Sequence, residues 1–122
     1  MVLMPMISIL EDEIYAFIKS KRYVSWVELQ EAFPEHFKGD KLVTFDRLKE
    51  YNIYLWKGAS DEFVNALNNL IKKKKIRVIP THWLTYVIDG AVWKLPIAKR
   101  LVRYKKPRWL PVVFDIREGR TL

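Results

Sequence analysis

The sequence predicts a single α+β domain with three or four helices and a small antiparallel sheet. Its 122 residues suit one hydrophobic core, and half of them are hydrophobic. Segments with helical spacing are followed by short β-prone runs in the order helix, strand, helix, helix, strand, hairpin. We expect a folded domain over residues 1–98, with a possible insertion at 34–59. Residues 99–122 are expected to form a basic C-terminal extension with a short edge strand or arm.

The first half contains two predicted helices. Residues 7–21 carry apolar side chains at helical spacing, with Glu11 among acidic residues near the positive end of the helix dipole. Residues 26–33 follow Ser25, which forms a capping-box pattern with Glu28. Both assignments depend on local signals alone.

The middle of the chain predicts a short helix at 45–51, a brief strand at 53–56 and a long helix at 60–75. Ser60 is a favourable N-cap for the long helix, and four lysines close its C-terminal end, where cations are favoured. The exposed face of this helix is expected to be rich in amides.

A strand at residues 75–79 precedes a predicted β-hairpin, whose turn we place at Asp89 and Gly90. An Asp-Gly pair between alternating runs is typical of a type I′ turn, and it would set Tyr86 opposite Trp93. Further on, Pro107 and Pro111 restrict any strand to a sheet edge or an extended arm.

Charge is distributed unevenly along the chain. Residues 1–69 hold eight Lys or Arg and eleven Asp or Glu, whereas residues 70–122 hold fourteen and three, so the net charges are −3 and +11. This asymmetry favours a polyanionic partner on one side of the molecule. The alternative is a well-solvated surface of the kind found in thermophile proteins, whose composition this chain resembles.

Candidate nucleic-acid-binding residues come from the long helix and from the basic stretch near the C-terminus. Asparagine suits bidentate contact with adenine, cations neutralise phosphates, and aromatic rings stack on bases. The candidates are Asn65, Asn68, Asn69, Lys72, Lys73, Lys75, Arg77, Trp83, Lys94, Lys99, Arg100, Arg103, Lys105, Lys106 and Arg108. Trp83 and Trp109 are predicted to be exposed stacking surfaces, and the other three Trp are predicted core residues.

Enzyme signals are nearly absent from the sequence. The chain has no cysteine, its two histidines lie in unrelated segments, and its four glycines form no phosphate-binding loop. We therefore expect no catalytic residues, no metal site and no cofactor.

Two passages resemble parts of winged helix-turn-helix domains. The step from the first strand to the second helix resembles YVSWVELQEAF, and the end of the third helix, running into the first wing strand, resembles ALNNLIKKKKIRVIP. The resemblance covers residues 7–96 and implies a third helix in the major groove and a hairpin wing on the backbone or minor groove. The family joins its second and third helices by a few residues, whereas about 25 intervene here. Either residues 34–59 are an insertion, or the short helix at 45–51 is the true third helix.

The leading functional hypothesis is therefore double-stranded DNA binding by a winged helix and a basic C-terminal arm. The alternatives are an adaptor subunit of a replication, transcription or repair complex, and a single-stranded DNA or RNA binder that stacks bases on Trp83 and Trp109. A homodimer is compatible with each. The chain has no run long and apolar enough for a membrane span, and we expect a cytoplasmic protein.

Overall fold

The computed structural model describes residues 3–91 and 93–117 and confirms a mixed α+β architecture. The α-helices of this part of the chain are α1 (Leu3–Lys21), α2 (Trp26–Ala32), α3 (Asp46–Glu50), α4 (Asp61–Lys72) and α5 (Leu84–Asp89), with a 3-10 turn at Pro34–His36. The strands are β1 (Val24–Ser25), β2 (Leu42–Val43), β3 (Ile53–Tyr54), β4 (Trp56–Lys57), β5 (Ile76–Pro80), β6 (Arg108–Trp109) and β7 (Val112–Ile116).

The capping signals of α2 and α4 are confirmed. The Ser25 side chain accepts a hydrogen bond from the Glu28 amide, and the Glu28 carboxylate accepts one from the Ser25 amide. Ser60 caps α4 by accepting from the Phe63 amide at 3.2 Å. Each cap satisfies amides that the first helical turn leaves without a partner.

A three-stranded antiparallel sheet has the order β1-β7-β5. Phe114 of β7 lies opposite both Val24 and Val78, and it is fully buried. Helix α1 packs against α4 and against β7. The predicted edge strand or arm after residue 99 is therefore wrong, since β7 is the middle strand. No proline interrupts Val112–Ile116, so every amide of β7 remains available to the two ladders.

The middle segment builds two small strand pairs. β2 pairs antiparallel with β4, and β3 pairs parallel with β6. Gly58 is required where these turns meet, because its φ is +90° and a Cβ there would lie 3.0 Å from the Gly39 carbonyl oxygen. Leu55 and Trp56 lie in the core, so this segment contributes to the same hydrophobic cluster as α1 and α4.

The predicted hairpin with a turn at Asp89 and Gly90 is wrong, because residues 84–89 form α5. Gly90 has a φ of +114° and ends the helix in the left-handed conformation, which is an equally good use of an Asp-Gly pair. The buried Tyr86 hydroxyl donates to the Val112 carbonyl at 2.6 Å and accepts from the Trp26 amide at 3.1 Å. Because these bonds fix a helical turn against the sheet, tertiary contacts override the strand-like pattern.

Candidate nucleic-acid interface

Eleven of the fourteen cations that follow Leu70 lie in two groups along the chain. The α4–β5 cations are Lys72, Lys73, Lys74, Lys75 and Arg77, around the end of α4 and the start of β5. The basic loop is residues 99–108, which contain six cations and no acidic residue. The two groups differ in their electrostatic partners.

Glu11 of α1 neutralises part of the α4–β5 group. Its carboxylate accepts from the Lys73 ammonium at 2.8 Å and from the Asn69 amide at 2.9 Å. Burial raises the pKa of Glu11, but the hydrogen bonds from Lys73 and Asn69 outweigh burial, and the net pKa lies below its ordinary value. Because α1 begins at Leu3, Glu11 lies in the middle of the helix. Its role is therefore this ion pair, and the predicted helix-start role is wrong.

Asp115 is shared between Arg77 of this group and Arg22. It is fully buried in β7, where it accepts from Arg22 in a two-bond contact and lies 3.5 Å from the Arg77 guanidinium. The hydrogen bond from Arg22 holds the pKa of Asp115 below its ordinary value, although burial opposes this shift. Lys75, in turn, lies over the Tyr15 ring at 5.7 Å. Lys72 and Lys74 are exposed without such a contact among the described residues.

The predicted amide-rich face of α4 is divided by packing. Asn69 is bound to Glu11, and Asn68 is half-buried. Asn65 is exposed and borders a cavity of about 450 Å³, which Lys41 and Lys49 also line. The three asparagines therefore do not present one open surface.

The basic loop is closed at its base by backbone hydrogen bonds. The Ala98 amide donates to the Trp109 carbonyl at 2.8 Å, and the Trp109 amide donates to Pro96 at 2.8 Å. Further along, the Tyr104 amide donates to Tyr51 at 3.1 Å. A loop with neighbouring ends and its own internal packing is an Ω-type loop.

Asn52 anchors the far side of the loop. It has a φ of +64°, and its side-chain amide donates to the carbonyls of Tyr104 and Lys105 at 3.2 and 3.3 Å. Its own carbonyl accepts from the Arg108 amide at 2.9 Å. Asparagine tolerates the left-handed conformation better than most residues do. The loop is therefore fixed by neutral hydrogen bonds.

Tyr104 closes the tip of the loop. Its hydroxyl accepts from the Arg100 amide at 3.1 Å and donates to the Arg100 carbonyl at 2.9 Å. Arg108 lies over the Tyr104 ring at 4.7 Å and donates to the Ile97 carbonyl at 3.1 Å. Arg108 is half-buried, so its guanidinium positions the tip and is less accessible to a ligand than the other loop cations.

Five loop cations are exposed: Lys99, Arg100, Arg103, Lys105 and Lys106. Arg103 lies over the Tyr51 ring at 5.9 Å. Within residues 3–91 and 93–117, no carboxylate lies in ion-pair distance of any of them. Within the described part of the chain, their positive charge therefore has no carboxylate to balance it.

Trp83 lies beside this loop. Its side chain is 41% exposed and stacks on His82 with the ring centroids 5.5 Å apart. Trp83 and Lys99 line the same cavity, of about 280 Å³. The prediction of an exposed Trp83 is confirmed, whereas that of an exposed Trp109 is wrong. Trp109 is fully buried because its indole donates to the Leu55 carbonyl inside the core.

The three predicted core tryptophans and Lys94 lie outside the basic loop. Trp26 and Trp56 are buried, and Trp93 is half-buried against the Trp56 ring at 5.8 Å. Lys94 is exposed but precedes the loop by five residues. These residues therefore give the loop no second stacking surface.

Strand β5 separates the two groups of cations. Lys75 immediately precedes β5, whereas Pro80 at the other end lines a cavity with Lys99 and Arg100. A five-residue strand spans about 13 Å between its terminal Cα atoms at about 3.3 Å per residue. The structure therefore unites Trp83 with the basic loop and sets the α4–β5 cations apart from both.

Sequence reasoning missed the residues that shape this site, namely Tyr51, Asn52 and His82. An asparagine between β-prone residues is a weak signal for a left-handed turn. No local pattern indicates that its side chain would bind carbonyls more than fifty residues away.

No protein-family model, no curated protein and no solved structure matches the chain. Within the described part of the chain, no helix combines the length and the apolar character needed to cross a membrane.

Proposed function

We propose that this protein binds nucleic acid through the basic loop. The observation that carries the proposal is the set of five exposed loop cations, which have no carboxylate partner in the described part of the chain. Lysine and arginine contacts to phosphate release condensed counterions, and this release drives binding at low salt.

The anchored backbone of the loop favours binding because less ordering is needed when a ligand arrives. Asn52, Tyr51 and Tyr104 hold the loop through neutral hydrogen bonds, which leave the charged groups outside. An ordered loop loses less conformational entropy on association than a disordered arm does. The loop therefore supplies phosphate contacts at low entropic cost.

A single strand is the form of nucleic acid that the site supports best. The indole of Trp83 is exposed beside Lys99, so an unpaired base can stack on it while its phosphate meets the cation. The features that duplex reading would use are weaker, since α5 replaces the wing and Asn69 is bound to Glu11. Duplex DNA binding and the winged-helix resemblance both remain predictions, and this proposal uses neither.

The test is a set of equilibrium titrations of a labelled single strand and a labelled duplex at several salt concentrations. Five phosphate contacts give a slope of log K against log salt of about −3.5 for a single strand. Trp83→Leu should lower single-strand affinity about tenfold, which is within the range for one stacked base, and should change duplex affinity little. The half-buried Trp93→Leu serves as the control for loss of an indole.

Binding that does not respond to salt, or no binding at low ionic strength, would overturn the proposal. Duplex binding stronger than single-strand binding, with no effect of Trp83→Leu, would restore the duplex hypothesis.

A second candidate, the adaptor subunit, is favoured by one observation. The outer face of α5 exposes Leu84, Val87 and Ile88, and Ile88 is 82% exposed. Exposed apolar clusters mark protein contacts more often than nucleic-acid contacts. A partner that is lost with Ile88→Ser and retained with loop substitutions would support this function, and retention of the partner by Ile88→Ser would reject it.

A further inference from the structure

An apolar cavity of about 400 Å³ lies beneath the start of the basic loop. Leu55 and Val112, both buried in the core, line it together with Leu48 of α3, Val78 of β5 and Leu110. Apolar atoms therefore form nearly all of its surface, and a ligand body held there would be partly removed from water.

Two cations stand at the same cavity. Among the described residues, Lys99 and Arg100 are the only charged ones that line it, and both are exposed. The Tyr104 hydroxyl bonds both the amide and the carbonyl of Arg100, which fixes the backbone at this rim. The cavity thus combines an apolar interior with a positioned cationic rim.

We propose that this cavity binds a small amphipathic organic anion, with its apolar chain among Leu48, Val78 and Leu110 and its carboxylate between Lys99 and Arg100. An uncharged apolar ligand would leave the rim cations unpaired, and an inorganic anion would leave the apolar walls in contact with water. Only a molecule with both parts satisfies both surfaces.

The volume limits the size of the ligand. Small-molecule sites span about 300–1,000 Å³, and this cavity lies near the lower end of that range. A single chain of about ten carbons or a ring system of similar size suits it better than a two-chain lipid does. This inference concerns a different ligand from the proposed nucleic acid and does not depend on that function.

The experiment uses decanoate below the concentration at which it aggregates, with decanol as the uncharged control. The methyl resonances of Leu55, Val78, Leu110 and Val112 are followed by NMR during each titration. We expect saturable shifts centred on these methyl groups, with tighter binding of decanoate than of decanol.

Paired variants separate the charge from the cavity. Lys99→Gln with Arg100→Gln should weaken decanoate about fivefold, as expected for two exposed ion pairs, and leave decanol within twofold. The matched control, Lys105→Gln with Lys106→Gln, removes the same charge from residues that do not line the cavity, and it should leave both ligands unchanged.

Ala98→Phe places a ring in the cavity and should weaken the binding of both ligands at least tenfold; Val78→Phe is the second such variant should the first fail to fold. Equal affinity for decanoate and decanol, unchanged decanoate affinity in Lys99→Gln with Arg100→Gln, shifts centred outside the cavity, or no saturable shifts would each overturn the proposal. Decanoate affinity that is unchanged in both Phe variants would overturn it as well.

Discussion

The α4–β5 segment and the basic loop are both rich in Lys and Arg, but the groups that surround their side chains differ. Lys73 and Arg77 meet the carboxylates of Glu11 and Asp115, which lie in distant parts of the chain. The basic loop has no such carboxylate within the described ranges, and backbone and amide hydrogen bonds hold it instead. A run of positive residues can therefore be part of the core architecture or an open surface, and tertiary pairing decides between them.

The largest effect is expected when the pairing of the first group is broken at Asp115. Asp115→Asn leaves Arg22 and Arg77 adjacent without their shared carboxylate. We expect a loss of about 3 kcal/mol in the free energy of unfolding, the lower end of the range for breaking a buried pair, because both guanidinium groups are partly exposed. Urea unfolding measures this loss. The control Asp61→Asn breaks an exposed pair with Lys41 and should change stability by less than about 0.5 kcal/mol. Equal effects of the two substitutions would contradict the buried pairing.

The same pair predicts a dependence of stability on pH. Because the folded pKa of Asp115 lies below its ordinary value of 3.8, its contribution is fully present above that value. The contribution is lost as the pH falls through the folded pKa. Wild-type stability should therefore fall more steeply than that of Asp115→Asn as the pH falls below 3.8, in unfolding curves recorded at each pH. Parallel pH profiles would show that the carboxylate is not stabilised by its arginines.

The anchoring of the basic loop is tested at Asn52. Asn52→Gly keeps the left-handed backbone and removes two hydrogen bonds. Asn52→Ala removes the same bonds and also places alanine, which tolerates the left-handed region less well than asparagine does, at a φ of +64°. We expect losses of about 1 kcal/mol for glycine and about 2 kcal/mol for alanine. Thermal unfolding measures both. A harmless Asn52→Ala would mean that neutral bonds do not hold the loop.

Glu11→Gln removes the carboxylate partner of Lys73 and leaves the basic loop unchanged. We expect a loss of about 1 kcal/mol in unfolding free energy, since the Lys73 side chain is half exposed and its ion pair is partly screened. A double-mutant cycle with Lys73→Gln should recover most of that energy as coupling. A coupling energy near zero would show that Glu11 and Lys73 do not stabilise the fold through their ion pair.

The smallest effect concerns Lys74, which follows α4 with a φ of +61°. Its amide donates to Ile71 and the Lys75 amide donates to Leu70, the pattern of a Schellman motif whose left-handed position favours glycine. Lys74→Gly should stabilise the protein by about 0.5–1 kcal/mol. Lys72→Gly, within the helix, should destabilise it by a similar amount. Denaturant midpoints with the same sign for both substitutions would reject this assignment.

Local signals predicted α1 to α4 but not α5. The capping box of Ser25 and the cap of Ser60 are properties of a few adjacent residues, so the sequence alone sufficed to place α2 and α4. The strand-like run before Gly90 led to a wrong hairpin prediction, because an Asp-Gly pair suits a hairpin turn and a helix end equally well. The helical conformation is favoured by hydrogen bonds between Tyr86 and residues far away in the sequence.

The candidate site was predictable in composition but not in geometry. The cations of the basic loop and the exposed Trp83 were named from the sequence, and the structure brings Trp83 and Lys99 to one cavity. The pairing of Glu11 with Lys73 spans 62 residues, so no sequence window contains it. Trp109 looked exposed because cations surround it in sequence, whereas its indole enters the core.

The most direct test of the central claim compares the salt dependence of single-strand binding in two charge-matched double variants. Lys105→Gln with Lys106→Gln should reduce the magnitude of the slope of log K against log salt by about 1.4, because two phosphate contacts are lost. Lys72→Gln with Lys73→Gln should leave the slope unchanged. Equal reductions in both variants, or a reduction only in the second, would show that the α4–β5 cations contact the nucleic acid and would contradict the account.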